Sequence, residues 1–206
     1  MVIISHRYKF IYIKNKKVAG SSVESFFGQF CINPSKEYNF SDKIDQCIST
    51  YGIIGKRLNG KGNNWPPHKT AISIKKDLDY NTFNTYIKFC VIRNPYDKIV
   101  SRYFWNKSNK PFNNFVKLTN VSNLNIHCIN GKSVCNYFIR YEHLEEDIIK
   151  LCNILGIEKF DINDLPKHKS THRINKSHYS KFYDDETRKI VYKNHKKEFE
   201  LFGYKF

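Results

Sequence analysis

The sequence predicts an α/β protein whose parallel sheet is covered by helices. Three observations carry that expectation. The run "KFIYI" (9–13) is short, apolar and rich in β-formers, and it passes through a polar loop into a segment with helical spacing. A second run, "YIKFCVI" (86–92), is nearly continuous in apolar residues and turns through Arg93-Asn94-Pro95 into another helix. Strands that read as unbroken apolar runs are covered on both faces, the habit of parallel sheets joined by helices. At 206 residues the chain suits one domain with a sizeable core, so residues 1–206 are expected to form a single domain.

Taken in order, "MVIISHRYKFIYIK" has a strand pattern broken by His6, Arg7 and Lys9. It has no unbroken apolar core of a signal peptide, and no stretch reaches the ~20 apolar residues of a membrane span, so a cytoplasmic location is expected. "SVESFFGQF" places Val23, Phe26, Phe27 and Phe30 on one helical face. Residues 33–66 show little periodicity, and "NGKGNN" (59–64) reads as a mobile loop. Pro66 and Pro67 forbid helix before His68, and "AISIKKDL" then reads as a short helix. Asn94 suits an N-cap with Pro95 at the first helical position, and Ile99, Val100, Tyr103 and Phe104 make one apolar face. Asn130-Gly131 between β-prone runs signals a hairpin. "EHLEEDIIKLCNILG" is a helix with acidic residues first and Gly156 as its stop. "DDETRKIVYKNHKKEFELF" closes the chain as one or two helices.

Lys and Arg number 35 against 19 Asp and Glu, a net charge of +16. Such an excess favours polyanionic partners, and it equally fits a solvated face in a chain rich in Lys, Asn and Ile. The six cysteines (31, 47, 90, 128, 135, 152) form no CxxC pair and follow no zinc-ligand spacing. They are expected as reduced thiols, several in the core, with Cys128 and Cys135 placed to face each other across the hairpin.

Two stretches are built for anions. The loop Lys17-Val18-Ala19-Gly20-Ser21-Ser22 opens a helix, and small residues there present free N–H groups and the positive end of the helix dipole. The two serine hydroxyls add donors, and Lys17 adds a point charge. A Walker loop is excluded, because that motif needs Gly, four residues, then Gly-Lys-Ser/Thr. Arg93 ends the second strand at the carboxyl edge, where open α/β sheets bind ligands. Ser101 follows on the same side of the helix, about 10 Å along, within joint reach of a long arginine and a bridging phosphate.

These stretches resemble a family. "FIYIKNKKVAGSSVE" is similar to the strand–loop–helix that holds the 5′-phosphosulfate in PAPS-dependent sulfotransferases of the carbohydrate-sulfotransferase branch. "YIKFCVIRNPYDKIVSRYFW" resembles their 3′-phosphate motif, and "IRYEHLEEDIIKLCNILGI" with the closing "LFGY" resembles their C-terminal helices. The resemblance implies a P-loop NTPase-like three-layer fold with a central parallel sheet. It implies transfer of a sulfuryl group from 3′-phosphoadenylyl sulfate (PAPS) to a hydroxyl, the acceptor expected to be a carbohydrate and, given the charge, an acidic glycan. The donor would be held by Lys17, Ala19, Gly20, Ser21 and Ser22 at the sulfate end, and by Arg93 and Ser101 at the 3′-phosphate. Where the family has proline before its lysine this chain has Lys16, so either Lys16 or Lys17 meets the sulfate, and the small residues favour Lys17. Lys98 stands where arginine is usual, which keeps charge but loses the planar fork. No carboxylate is counted in either phosphate motif, so no metal is expected.

The acceptor hydroxyl needs a base. His68 is the first choice, since imidazole titrates near neutrality and its place ahead of Arg93 resembles that of the family's histidine. Glu24 is the alternative, with pairing to a lysine as its competing role. Lys169 and Arg173, in the basic loop "KHKSTHR" (167–173), are candidates for the 3′-phosphate or the acceptor, unless that loop is a solvated charge run. Two other function classes stay open: a nucleotide kinase, which would want a Walker lysine, and a nucleic-acid-binding module, which would want a stacking platform.

Overall fold

The computed structural model describes residues 1–206 apart from Asp42, Leu58 and residues 167–172. The chain forms two compact units, Met1–Ile92 with Leu124–His168 and Arg93–Asn123 with Lys169–Phe206. In the first unit the opening run splits into two short strands, β1 (Ile3–Ser5) and β2 (Phe10–Tyr12), joined by a tight turn in which Lys9 takes a positive φ of 51°. All six of these strand residues are buried. α1 (Gly20–Gly28) follows, and Val23, Phe26, Phe27 and Phe30 all reach the core, as their helical spacing predicts. Phe27 meets Phe10 edge-on at 5.6 Å and Phe89 at 4.9 Å, which seats α1 on the middle strands.

Residues 33–66 contain two strands with no periodic signature, β3 (Cys47–Ile48) and β4 (Gly52–Ile54). α2 (Ala71–Asp77) and α3 (Tyr80–Thr85) are capped by Thr70 and Asp79 and lead into β5 (Ile87–Ile92). Later segments of the same unit are α6 (Leu124–His127), the hairpin β6 (Cys128–Ile129) and β7 (Lys132–Ser133), β8 (Tyr137–Arg140) and α7 (Leu144–Ile154). Asn130 and Gly131 both take positive φ, 50° and 77°, as a two-residue hairpin with right-handed twist requires. The hairpin register sets Cys128 opposite Ser133, not Cys135, and all six cysteines are thiols.

The six-stranded sheet runs β3-β4-β1-β2-β5-β8. Only β2, β5 and β8 are parallel; β1 pairs antiparallel with β2 and β4, and β3 antiparallel with β4. The expected parallel sheet is therefore present as β2-β5-β8 and is extended by antiparallel strands into a mixed one. The physical reason is the short turn after Ser5: a few residues can return a strand antiparallel, whereas a parallel partner needs a crossover of a dozen or more.

In the second unit, α4 (Pro95–Trp105), α5 (Phe112–Leu118) and α8 (Asp185–Phe202) surround Tyr96, Ile99, Phe115, Val116, Val191 and Phe199. The Asn94 side chain caps α4 at the Tyr96 N–H, 3.0 Å, with Pro95 at the first position. α8 opens with a capping box between Asp184 and Thr187 and leaves helical geometry at His195. There Lys98 enters the core and pairs with Glu198 at 2.7 Å, while His195 Nδ1 meets the other carboxylate oxygen at 2.7 Å. Burial pushes Glu198 up, but the hydrogen bonds from His195 and Lys98 outweigh it and hold the carboxyl down at about 2.

The first unit depends on a second buried pair. Lys14, just beyond β2, donates to Glu24 of α1 at 2.5 Å, and Arg57 stands 3.6 Å from the same carboxylate oxygen. Glu24→Ala should lower the unfolding free energy by about 3–5 kcal/mol, because buried cations would lose their partner. Urea denaturation reads this directly. Glu24→Leu combined with Lys14→Met should recover part of the loss; an unshifted midpoint in Glu24→Ala would show that the pair contributes nothing net.

Candidate active site

The loop between β2 and α1 has an unusual backbone. Lys17 and Ala19 both take left-handed conformations, φ 61° and 57°, with Val18 between them. Non-glycine residues pay about 1–3 kcal/mol for such conformations, which cluster at active sites and ligand clamps. Ala19 is the N-cap of α1 and offers no side-chain cap. The Ser22 N–H is taken by the Ala19 carbonyl at 3.0 Å. The N–H groups of Gly20 and Ser21, at the first two helical positions, have no intrahelical acceptor to reach. Lys17 is half-buried while Lys16 is exposed. Gly20 has a reason of its own: a Cβ there would stand 3.0 Å from the Tyr12 hydroxyl and 3.2 Å from Lys14 carbons. The close approach it permits is to its own strand end.

His68 belongs to this loop. Its Nδ1 lies 3.0 Å from the Lys14 carbonyl oxygen. A carbonyl only accepts, so Nδ1 carries the proton and Nε2 keeps a lone pair. The His68 backbone is itself left-handed, φ 58°, after the two prolines. Burial pulls the imidazole down to about 4, opposed by the Lys14 carbonyl bond and helped by the charges of Lys14 and Lys16. The ring is therefore neutral at pH 7. Glu24, the alternative base, is fully buried and held by Lys14, so the competing role foreseen for it is the one it takes.

The second group lies in the other unit. Arg93 is buried and forms a two-point contact with Asp97, Nε at 2.8 Å and Nη2 at 2.7 Å, both to Oδ2. Arg173 meets the other oxygen of Asp97 at 2.7 Å and donates to the carbonyls of Asn175 and Ser177 at 3.0 and 2.5 Å. Asp97 thus gathers Arg93 and Arg173 and fixes both planar forks. Ser101 sits half-buried further along α4. Lys98 does not join them, because its ammonium is buried against Glu198. Lys169 lies outside the described residues.

Asp97, and Glu24 at the end of the first motif, correct the expectation that neither motif holds a carboxylate. Asp97 gave its signal as an Arg–Asp pair at i, i+4 on a helix. Its two oxygens are occupied by guanidinium groups rather than turned to a cation. Lys14 and Arg57, which hold Glu24, are the other residues missed. Nothing in local spacing joins them; only the fold does.

A family model described as the sulfotransferase family matches residues 1–205. The chain is 33% identical over 104 residues to an uncharacterized protein of Archaeoglobus fulgidus, an alignment covering 45% of this chain and 87% of that protein. No solved structure matches the chain. With the match running from the first strand to the end of the last helix, the chain belongs to the sulfotransferase family.

Proposed function

We propose that the protein moves a sulfuryl group from PAPS to the hydroxyl of a carbohydrate acceptor, acting as one sulfotransferase domain over residues 1–206. Family membership supports sulfuryl transfer in general. The observation that carries the rest is the bond from His68 Nδ1 to the Lys14 carbonyl, which ties a neutral imidazole to the head of the loop Lys17–Ser22.

In this reading the acceptor hydroxyl gives its proton to His68 Nε2 as its oxygen bonds to sulfur. The bond from sulfur to the 5′-phosphate oxygen breaks, and that oxygen keeps the electron pair, leaving adenosine 3′,5′-bisphosphate. Charge builds on the departing oxygen, as in phosphoryl transfer. Lys17, with the N–H groups of Gly20 and Ser21, answers it from fixed positions, the least costly way to stabilise developing charge. Arg93, Ser101 and Arg173 take the 3′-phosphate, and Asp97 keeps the two arginines aimed. The positive excess of the chain suits an acidic glycan.

His68→Ala should lose turnover by about 10²–10⁴, the usual range for a general base, while binding of adenosine 3′,5′-bisphosphate changes little. In the wild type kcat/KM should fall only as pH drops through about 4, the value set by burial and neighbouring lysines. The limb in kcat should lie higher, because the bound donor's negative charge favours the imidazolium. A mutant that keeps more than about a tenth of the activity would remove His68 from the chemistry.

Arg93→Ala should weaken adenosine 3′,5′-bisphosphate by about 2–3 kcal/mol, the scale of a charge-assisted bond at a partly buried site. Isothermal titration measures it, with ATP and an oligonucleotide as competitors. Unchanged affinity would place the 3′-phosphate elsewhere, and tighter binding of ATP would favour a kinase.

A further inference from the structure

We propose that Cys90, His127 and Cys135 form a binding site for one soft cation, Zn²⁺ by its donor set, which braces the sheet beneath the donor loop. One ligand atom from each residue lies within 4.8 Å of the other two. Ligands around a tetrahedral zinc stand about 3.5–3.8 Å apart, given bonds of about 2.0–2.3 Å, so closure asks for the separations to shorten by at most about 1.3 Å. Two thiols and an imidazole are the soft set that selects zinc over magnesium or calcium. Local spacing hides the set, because Cys90 comes from β5 and the others from the chain around the β6–β7 hairpin.

The backbone around the ligands is already tied. Val134 N–H donates to the His127 carbonyl at 3.0 Å, and Cys135 N–H to Ser133 Oγ at 3.1 Å. Asn136 exchanges two bonds with Lys88 of β5, at 2.7 and 3.0 Å, which pins Cys135 beside the strand that carries Cys90. Ser133 Oγ also meets His127 Nδ1 at 3.0 Å, the kind of outer contact that sets the rotation of a ligating imidazole. Cys128 Sγ stands 3.6 Å from His127 Nδ1, on the nitrogen that Ser133 also meets, and so on the outer side of the ring. One group stands ready for a fourth position. Asn15 lies against Cys90, only 2% exposed, and its Oδ1 has no hydrogen-bond partner among the described residues. That oxygen would accept from a water on the cation.

Burial keeps the Cys90 thiol protonated well above its ordinary range. Each thiol that ligates the cation gives up its proton to solvent, and two thiolates cancel the charge of the cation. The site would clasp β5, which delivers Arg93, to Asn15 at the start of the donor loop.

The test is titration of the reduced, metal-stripped chain with Co²⁺, followed by displacement with Zn²⁺. One equivalent should bind with the near-ultraviolet charge-transfer absorption of cobalt–thiolate bonds and leave on adding zinc. Cys135→Ser, at a half-exposed position that tolerates the change, should lose that absorption and at least about 100-fold in affinity. Ser133→Ala should weaken binding by about 10–100-fold. Cys47→Ser, at an exposed thiol outside the cluster, should bind like wild type. Absence of thiolate absorption in the reduced wild type overturns the proposal, and so does binding that Cys135→Ser leaves unchanged. Neither result bears on sulfuryl transfer, which is read by turnover.

Discussion

The buried carboxylate of Glu24 is the constraint around which the first unit closes. Such a group cannot be left alone, and here the Met1 ammonium, Arg57 and Lys14 at the end of β2 all converge on it. The residues between Lys14 and Glu24 turn within a short span, in which Lys17 and Ala19 occupy left-handed conformations and a Cβ on Gly20 would press on Tyr12 and Lys14. The Lys14 carbonyl also meets the ring of His68. One residue thus joins the buried carboxylate of α1 to the histidine beside the loop.

Carboxylates play the same part elsewhere. Asp97 is spent on aiming Arg93 and Arg173, and Glu198 on holding Lys98 in the core. In a chain with so large a positive excess, these few buried acids serve as internal struts. Its surface is left with the surplus cations.

Much of the fold was legible where a local pattern has one physical solution. The strand at 86–92, the Asn94–Pro95 start, the Asn130-Gly131 hairpin and the Gly156 stop all follow from backbone chemistry within a few residues. Strand direction was not legible, because β1, β3 and β4 are two or three residues long and carry no period. At the candidate site the residue types were readable, Lys17 and Arg93 above all. The long-range ion pairs around them were not, since Lys14 and Arg57 meet Glu24, and Lys98 meets Glu198, only in three dimensions. Cys90 was readable as buried, yet its neighbours His127 and Cys135 were not, for the same reason.

The chain passes between its two units three times, and this has a cost during synthesis. β5 pairs in parallel with β8, whose first residue is Tyr137, while the intervening segment Arg93–Asn123 belongs to the other unit. At about 5–20 residues per second, the roughly 45 residues from Ile92 to Tyr137 take about 2–9 s to emerge. Throughout that interval a nascent strand of Ile, Phe, Cys and Val presents one open hydrogen-bonding edge. Neither unit can be completed from a contiguous stretch of chain, so this edge of the sheet closes only when β8 arrives. Until then the segment Arg93–Asn123 emerges while the strand it follows is still exposed on one side.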